Sequence, residues 1–411
     1  MLNKNPKILK YFFLCLLFIL FLFLKKLKPI FSHINIYDES TYFTTWGTAI
    51  YPTKLPPINL NNKSLRQIFR ISAGGERIRI KFSNVIGKSN LEIKEVKIAD
   101  LISGSEINKR TMKHVIFNGE YNIIIEKGKE IYSDTIIYPL KPSSEVAISI
   151  YFGSVPQKLS GHNHSLTYSY IEKGNKIKYR KFSDKYKIAH SYFISLIEVS
   201  SDKPKEVIVC FGDSITDGVI LKNNSRDNYP DILFDNIYNN GNEDIAVVNE
   251  GINGDKLIIQ GIERYQHDVL DIKGVRYIIV LYGVNDLNVL NATSEEIISG
   301  YKTIIQKAHK KKIFIYAGTI LPFSSYKVKY IWNKDKEKVR KKVNDWIRKI
   351  KPEKGGFDGF FDFDKYFKDP KNETRMKDIY DCGDGIHTSL EGYKKMVEII
   401  NDKNLFPMKY N

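Results

Sequence analysis

Four short polar motifs bring together residue types that can do chemistry: Gly212-Asp213-Ser214-Ile215, Asn249-Glu250-Gly251-Ile252-Asn253-Gly254, Gly283-Val284-Asn285-Asp286 and, near the C-terminus, Asp384-Gly385-Ile386-His387. A serine hydroxyl is a weak nucleophile at neutral pH, so attack on an ester carbonyl requires a base within hydrogen-bond reach. Of the eight histidines, His387 alone stands beside an acidic partner in a motif of this kind. Asp384, three residues earlier, is expected to hold the ring tautomer and to stabilise the imidazolium that forms as Ser214 gives up its proton. The tetrahedral intermediate then carries an oxyanion, which requires donors fixed in advance. Candidates are the backbone N–H groups of Ser214 and Gly251 and the side-chain amide of Asn285, with Gly251 permitting a backbone approach that a Cβ would obstruct. Asp213 and Asp286 directly neighbour these residues and read as loop-structuring carboxylates. A two-carboxylate glycosidase would use such a pair, but the serine, asparagine and histidine would then have no role.

The surrounding pattern explains how residues so far apart in sequence can meet. Compact apolar runs at 207–211, 245–248, 277–282 and 313–317, with a weaker one at 360–363, alternate with amphipathic stretches. One of these opens at Thr293, where Glu296 completes a capping box, and continues with Ile297, Tyr301, Ile304, Ile305 and Ala308 on one face. Another carries Val339, Val343, Trp346, Ile347 and Ile350. Buried strands alternating with helices predict a parallel sheet covered on both faces. Ligands of such sheets bind beyond the carboxyl ends of the strands, and the first three motifs each follow one of the first three runs. Before residue 200 the period is different. Arg77-Ile78-Arg79-Ile80-Lys81-Phe82 and Leu91-Glu92-Ile93-Lys94-Glu95-Val96-Lys97-Ile98 alternate apolar and charged residues, as half-buried strands do. Further strands are expected at 67–72, 121–125 and 145–151, with a turn at Gly74-Gly75, so this part reads as a β-sandwich or jelly roll.

The ordered set of motifs resembles the SGNH hydrolases of the GDSL family. Ser214, Gly251, Asn285 and His387 stand as the four signature residues, Asp384 lies three before the histidine, and the resemblance spans about residues 206–403. It implies a flavodoxin-like three-layer α/β/α hydrolase domain with a parallel sheet. Around Tyr229-Pro230-Asp231, Arg264, Gly283 to Asp286 and Gly392-Tyr393 the sequence is most similar to a subgroup with a β-sandwich ahead of the catalytic domain that removes acyl groups from polysaccharides. Trp46-Gly47-Thr48-Ala49 and Arg66-Gln67 are similar to that subgroup too. The sequence departs from the family pattern at Ile215, which replaces a leucine, and at Thr388-Ser389-Leu390, where a proline is frequent and the rigidity of His387 is at stake. Tyr282 stands where an acidic residue is common, which bears on the acyl-acceptor pocket.

Whole-chain properties set the bounds. The 411 residues carry 64 Lys+Arg against 47 Asp+Glu, a net charge of +17, and 42% are hydrophobic. That composition excludes a mainly disordered chain and suits two or three domains. The lysines run through almost every segment with no zinc-finger, helix-turn-helix or RNA-binding signature, so nucleic acid is not an expected partner. The 14-residue apolar run at 11–24, flanked by lysines, is shorter than the about 20 residues of a full membrane span. The Lys-Lys-Leu-Lys-Pro stretch after it suits an uncleaved signal anchor better than a cleaved signal peptide. The expected organisation is therefore a leader at 1–32, a sandwich at 33–202 and a hydrolase domain at 203–411, placed at the cell surface or secreted. Three cysteines exclude a disulfide scaffold. Cys15 reads as apolar filler, and Cys210 and Cys382 as two buried thiols, with a disulfide as the alternative. His162 and His164 form an H-x-H that either holds a metal or, lacking an evident third ligand, lies in a loop near the domain interface. Trp332, with Tyr330, is a candidate sugar-stacking platform. The leading expectation is a serine esterase acting through an acyl-enzyme on an acylated, most simply acetylated, carbohydrate, without cofactor or metal. A lipase, lysophospholipase or thioesterase of the same fold and a non-catalytic carbohydrate-binding protein are the alternatives.

Overall fold

The structure, a computed structural model, describes residues 41–203, 205–223, 225–325 and 332–402. The leader at 1–32 with Cys15, and Tyr330, lie outside the described residues, among which no helix is long and apolar enough to cross a membrane. Residues 42–402 belong to one compact unit.

Its first part is all β. One antiparallel sheet has the order β1 (Tyr42–Gly47), β11 (Ile194–Ser200), β4 (Gly75–Ser83), β6 (Ile136–Leu140). The other runs β9 (Ser169–Lys173), β3 (Lys63–Arg70), β7 (Glu145–Phe152), β5 (Leu91–Ser103), with shorter strands at its edges. Ile78, Ile80 and Phe82 of β4 are fully buried in one apolar cluster with Leu65, Ile98 and Ile148 of the second sheet, as the alternation requires. A third small sheet joins β2 (Tyr51–Thr53), β8 (Leu159–Asn163) and β10 (His190–Tyr192).

The charged face of β4 departs from the expected solvent exposure. Arg79 is buried and its Nε bonds Glu198 Oε2 at 2.6 Å, while Lys81 Nζ lies 2.7 Å from Glu130 Oε2. Glu130 in turn accepts from His267 of the second part at 2.8 Å. Both pairs lie within the all-β region, the His267 bond ties one of them to the α/β region, and paired charges are what the alternation recorded. Contact is closest at β1, where Thr44 N–H donates to Lys273 O (3.0 Å). At Gly47 a Cβ would stand 2.8 Å from both Glu250 Oε1 and Val248 Cγ1, so only glycine lets the strands approach this far.

The second part is a five-stranded parallel sheet of order β13 (Ile245–Gly251), β12 (Glu206–Gly212), β14 (Val275–Leu281), β15 (Phe314–Gly318), β16 (Gly359–Phe361). Val207 to Phe211 are wholly buried, as a strand covered on both faces must be. The sequence order 2-1-3-4-5 is the flavodoxin-like one, and its direction reverses at β12, which opens a crevice beyond the ends of β12 and β14. The helices named below are α1 (Ser214–Asp217), α2 (Tyr229–Asn239), α3 (Val284–Asn288), α4 (Ser294–Lys310), α5 (Lys334–Lys349) and α6 (Leu390–Asn401). The capping box at Thr293 and Glu296 opens α4, with both reciprocal bonds formed.

Candidate active site

Strand β12 ends at Gly212, and the chain turns at once into α1. Asp213 caps that helix, its Oδ1 accepting from Ile215 N–H at 3.0 Å, which sets Ser214 at the first helical position with its Oγ toward the crevice. His387 is delivered from the other end of the chain by a tight Asx turn: Asp384 Oδ1 accepts from Ile386 N–H (2.8 Å) and His387 N–H (2.9 Å). The second carboxylate oxygen, Oδ2, lies 2.6 Å from His387 Nδ1, and His387 Nε2 lies 2.8 Å from Ser214 Oγ. A carboxylate only accepts, so Nδ1 carries the ring proton and Nε2 presents its lone pair to the serine hydroxyl. Burial raises the Asp384 pKa, but the ring and amide donors outweigh it and hold the carboxyl well below its usual range. Replacement of the expected proline by Thr388 leaves the loop braced. Thr388 is fully buried with Oγ1 donating to Tyr380 O (2.9 Å), and Cys382 N–H donates to His387 O (3.1 Å).

The oxyanion donors are arranged differently from the expectation. Gly251 is corrected: its N–H donates to Asn249 Oδ1 at 2.9 Å, and a Cβ on it would lie 2.3 Å from Asp217 N. It is the glycine that lets β13 pack against α1, and its amide is spent on that turn. Three residues on, Gly254 sits at φ +75° with open space where a Cβ would be, and among the described residues its N–H takes part in no hydrogen bond. Asn285 Nδ2 donates to the neighbouring Asp255 O at 3.0 Å, which places its side chain against this turn and leaves its second N–H for an oxyanion. The sequence carried the signal, since both glycines stand in one motif, but nothing in it says which amide is already used. Asp213 and Asp286 structure loops as expected. Asp286 accepts from Leu257 N–H and Ile258 N–H at 3.1 and 3.0 Å.

Arg264 ties the strand ends together. It donates to Asp255 Oδ2 (2.7 Å), Asp268 Oδ2 (3.0 Å), Glu250 O (2.8 Å), Gly212 O (3.2 Å) and the Tyr282 hydroxyl (2.7 Å). Tyr282 is fully buried and donates to Asp255 Oδ2 at 2.6 Å, so this departure from the family pattern points into the core and not into a substrate pocket.

The remaining expectations divide. Cys210 and Cys382 are both free thiols, but only Cys210 is buried; Cys382 is exposed on the Asp384 loop. Trp332 is half-buried at the start of α5 and lines a cavity of about 570 Å³ with Ser324, Ser325, Asn333, Asn372 and Arg375. Ser325 packs so tightly on Gly385 that a Cβ there would lie 2.4 Å from its own, which sets this cavity beside the His387 loop. His162 and His164 do not converge. His162 lies on β8 and bonds Asp217 Oδ1 (3.0 Å) through Nε2, whereas His164 follows the strand at φ +58°.

The GDSL-like lipase/acylhydrolase family model matches residues 210–395. Solved structures similar to this half of the chain include a lipase/acylhydrolase from Enterococcus faecalis (24% identity, 50% of this chain and 98% of that one, TM-score 0.42). An acetyl xylan esterase (19%, 48% and 98%, TM-score 0.39) and a lipolytic G-D-S-L protein from Veillonella parvula DSM 2008 (20%, 49% and 98%, TM-score 0.36) are similar in the same way. Among curated protein sequences none matches the chain. The all-β region thus precedes a C-terminal domain that is a GDSL/SGNH-family hydrolase.

Proposed function

We propose that the protein is a serine esterase that removes O-acyl groups, acetyl in the simplest case, from a carbohydrate. The observation that carries this reading is the unbroken chain from Asp384 Oδ2 through His387 to Ser214 Oγ, at 2.6 and 2.8 Å, at the switch point of the sheet. In the reaction, Ser214 Oγ bonds the carbonyl carbon while its proton passes to His387 Nε2. The negative oxygen of the tetrahedral intermediate is met by N–H groups of Ser214, Gly254 and Asn285. Collapse breaks the ester C–O bond, and the proton on His387 goes to the departing sugar hydroxyl. Water then gives a proton to Nε2 and its oxygen to the acyl carbon, releasing the carboxylic acid and returning the proton to Ser214.

Support for a carbohydrate acceptor comes from the cavity beside the His387 loop. Its hydroxyl, amide and guanidinium groups suit a hydroxyl-rich ligand, and Trp332 offers a ring face for a sugar. The basic, apolar leader supports delivery out of the cytoplasm, anchored or secreted, where polymeric carbohydrate is met. The test is acetate release from acetylated xylan, pectin and chitin fragments, with p-nitrophenyl esters of increasing chain length in parallel. Wild-type protein should release acetate and prefer the shortest ester. A preference for long acyl chains would replace the carbohydrate reading with a lipase, and an active Ser214→Ala would remove the mechanism altogether.

A further inference from the structure

A buried histidine of the all-β region reaches the catalytic machinery. His162, on β8, is buried: its ring is 4% exposed and its partner Asp217 3%, and both line a small cavity of about 110 Å³. Nδ1 lies 2.9 Å from Ala49 O and Nε2 lies 3.0 Å from Asp217 Oδ1. A carbonyl oxygen only accepts, so Nδ1 carries a proton; a carboxylate only accepts too, so the 3.0 Å contact is a hydrogen bond only if a second proton lies on it. The pair is held as an imidazolium facing a carboxylate. Burial alone would lower the His162 pKa, and the attraction and hydrogen bond of Asp217 more than reverse it.

Asp217 is the last residue of α1, the helix that begins with Ser214. Its other oxygen, Oδ2, accepts from Asn253 N–H at 3.0 Å, and Asn253 immediately precedes Gly254. One carboxylate therefore joins three things: the nucleophile helix, the turn that presents the oxyanion amide, and a histidine from the other region of the chain. The same loop presses on α1 from a second point. Leu166, at φ +54°, lies over Gly218, where a Cβ would meet its Cδ1 at 3.2 Å, and His164 also has positive φ. Two non-glycine residues held in left-handed backbone beside a reactive centre mark a segment whose position is over-determined by its surroundings.

We infer that His162 is a positioning residue: by holding Asp217 it sets the distance between the Ser214 nucleophile and the Asn253-Gly254 oxyanion turn, so that the all-β region completes the active site of the α/β region. This rests on the serine-esterase reading above. It touches neither substrate nor reacting atoms, and its effect should fall on the chemical step and leave binding alone.

Two isosteric replacements separate positioning from packing, because the His162 ring makes two bonds with different purposes. In His162→Asn the amide nitrogen stands near the former Nδ1 and keeps the bond to Ala49 O, while the link to Asp217 is lost. In His162→Gln the longer chain sets an amide nitrogen near the former Nε2 and keeps the link to Asp217. Full-length wild type and both variants are assayed for kcat and KM on p-nitrophenyl acetate and for the rate at which a fluorophosphonate labels Ser214, with melting temperature as the measure of fold. The expected result is a kcat lowered about 10–100-fold in His162→Asn with KM within about twofold, a labelling rate lowered in parallel, and recovery of most of both in His162→Gln; losses of this size match the removal of one oxyanion donor or less. The double variant His162→Asn/Asp217→Asn should be no slower than Asp217→Asn alone, since both act through one contact. Equal labelling and equal kcat in wild type and a folded His162→Asn would overturn the inference, as would additive effects in the double variant. Should His162→Asn fail to fold, the Asp217→Asn comparison with wild type and the His162→Gln kcat carry the same decision: unchanged kcat in Asp217→Asn overturns it. Failure of wild type to be labelled at Ser214 would instead sink the serine-esterase reading, independently of His162.

Discussion

At the scale of single residues, the site works by assigning each hydrogen-bonding group one duty. Asp384 spends one oxygen on its own turn and the other on the imidazole, so the ring cannot rotate without losing a charge-assisted bond. Asp384→Asn keeps the shape but can donate to Nδ1, which favours the wrong tautomer; kcat on p-nitrophenyl acetate should fall about 10²–10⁴-fold with KM little changed, less if solvent at this half-exposed aspartate restores the ring's proton. Asn285→Ala should cost about 10²–10³ in kcat, the usual loss for one oxyanion donor. The decision between the two glycines is geometric. In a crystal of the Ser214 phosphonate adduct, the phosphoryl oxygen should lie within about 3.1 Å of Gly254 N and Asn285 Nδ2; an oxygen bound instead to Gly251 N would return the oxyanion role to Gly251. Residue types and order made Ser214, Asn285, Asp384 and His387 legible in the sequence, because that chemistry tolerates few substitutes. Gly254 and His162 were not legible, since their roles depend on which amide is already bonded and on what a distant strand brings close.

At the scale of elements, the strand ends are held by a guanidinium. Arg264 joins the carboxyl ends of β12 and β13 through Gly212 O and Glu250 O, and reaches β14 through the Tyr282 hydroxyl. Burial lowers its pKa and the surrounding Tyr282, Asp268 and Asp255 more than restore it, so the group stays charged. Arg264→Met would leave Asp255 buried without its counter-ion and Asp268 with His267 alone, and should cost about 3–5 kcal/mol in urea unfolding. Asp213 behaves in the opposite sense. Fully buried, it is pushed up to about 7 from an ordinary 3.8. The folded protein therefore binds a proton that the unfolded chain has lost, and stability falls as pH rises from about 4 to about 7. Asp213→Asn keeps the acceptor for Ile215 N–H and removes this cost, so its melting temperature should exceed that of wild type at pH 8 and converge with it near pH 4. A constant offset across that range would show that burial of the charge is not the cause. The apolar runs made the parallel sheet readable because strands covered on both faces admit few polar residues. The arginine hub was not readable, because its partners, two aspartates, two backbone carbonyls and a tyrosine, share no pattern in the sequence.

At the scale of the whole molecule, the two cores are distinct but the faces between them are wired by charge. The sequence showed two regions through a change of period near residue 200, and it showed charges alternating along β4. It could not show that those charges are paired, one of them with a carboxylate that also bonds His267 of the other region, because a solvated stripe and a stripe of paired ions are identical in one dimension. The consequence is a pH response at the junction. Burial raises the Glu130 pKa, but the bonds from His267 and Lys81 outweigh it and bring the carboxyl to about 2. His267, bonded first to Asp268 and then to Glu130, is raised to about 10. The signs follow from proton linkage. A carboxyl lowered from 4.5 to about 2 contributes stability that is present above about 4.5 and lost as pH falls toward 2. A histidine raised from 6.5 to about 10 contributes stability that is complete below about 6.5 and lost as pH rises through 10. Half-exposed as His267 is, solvent screens part of this. In Glu130→Gln the acid-side loss should be smaller than in wild type between pH 4.5 and 2, and the alkaline decline between pH 6.5 and 10 shallower, because one of the two carboxylates that hold the histidine charged is gone. Melting temperatures of both proteins over pH 2.5 to 10, at low and high salt, provide the measurement. Parallel curves across the whole range would mean that the junction is held by apolar contact and backbone bonds such as Thr44 to Lys273, with the ion pairs adding nothing.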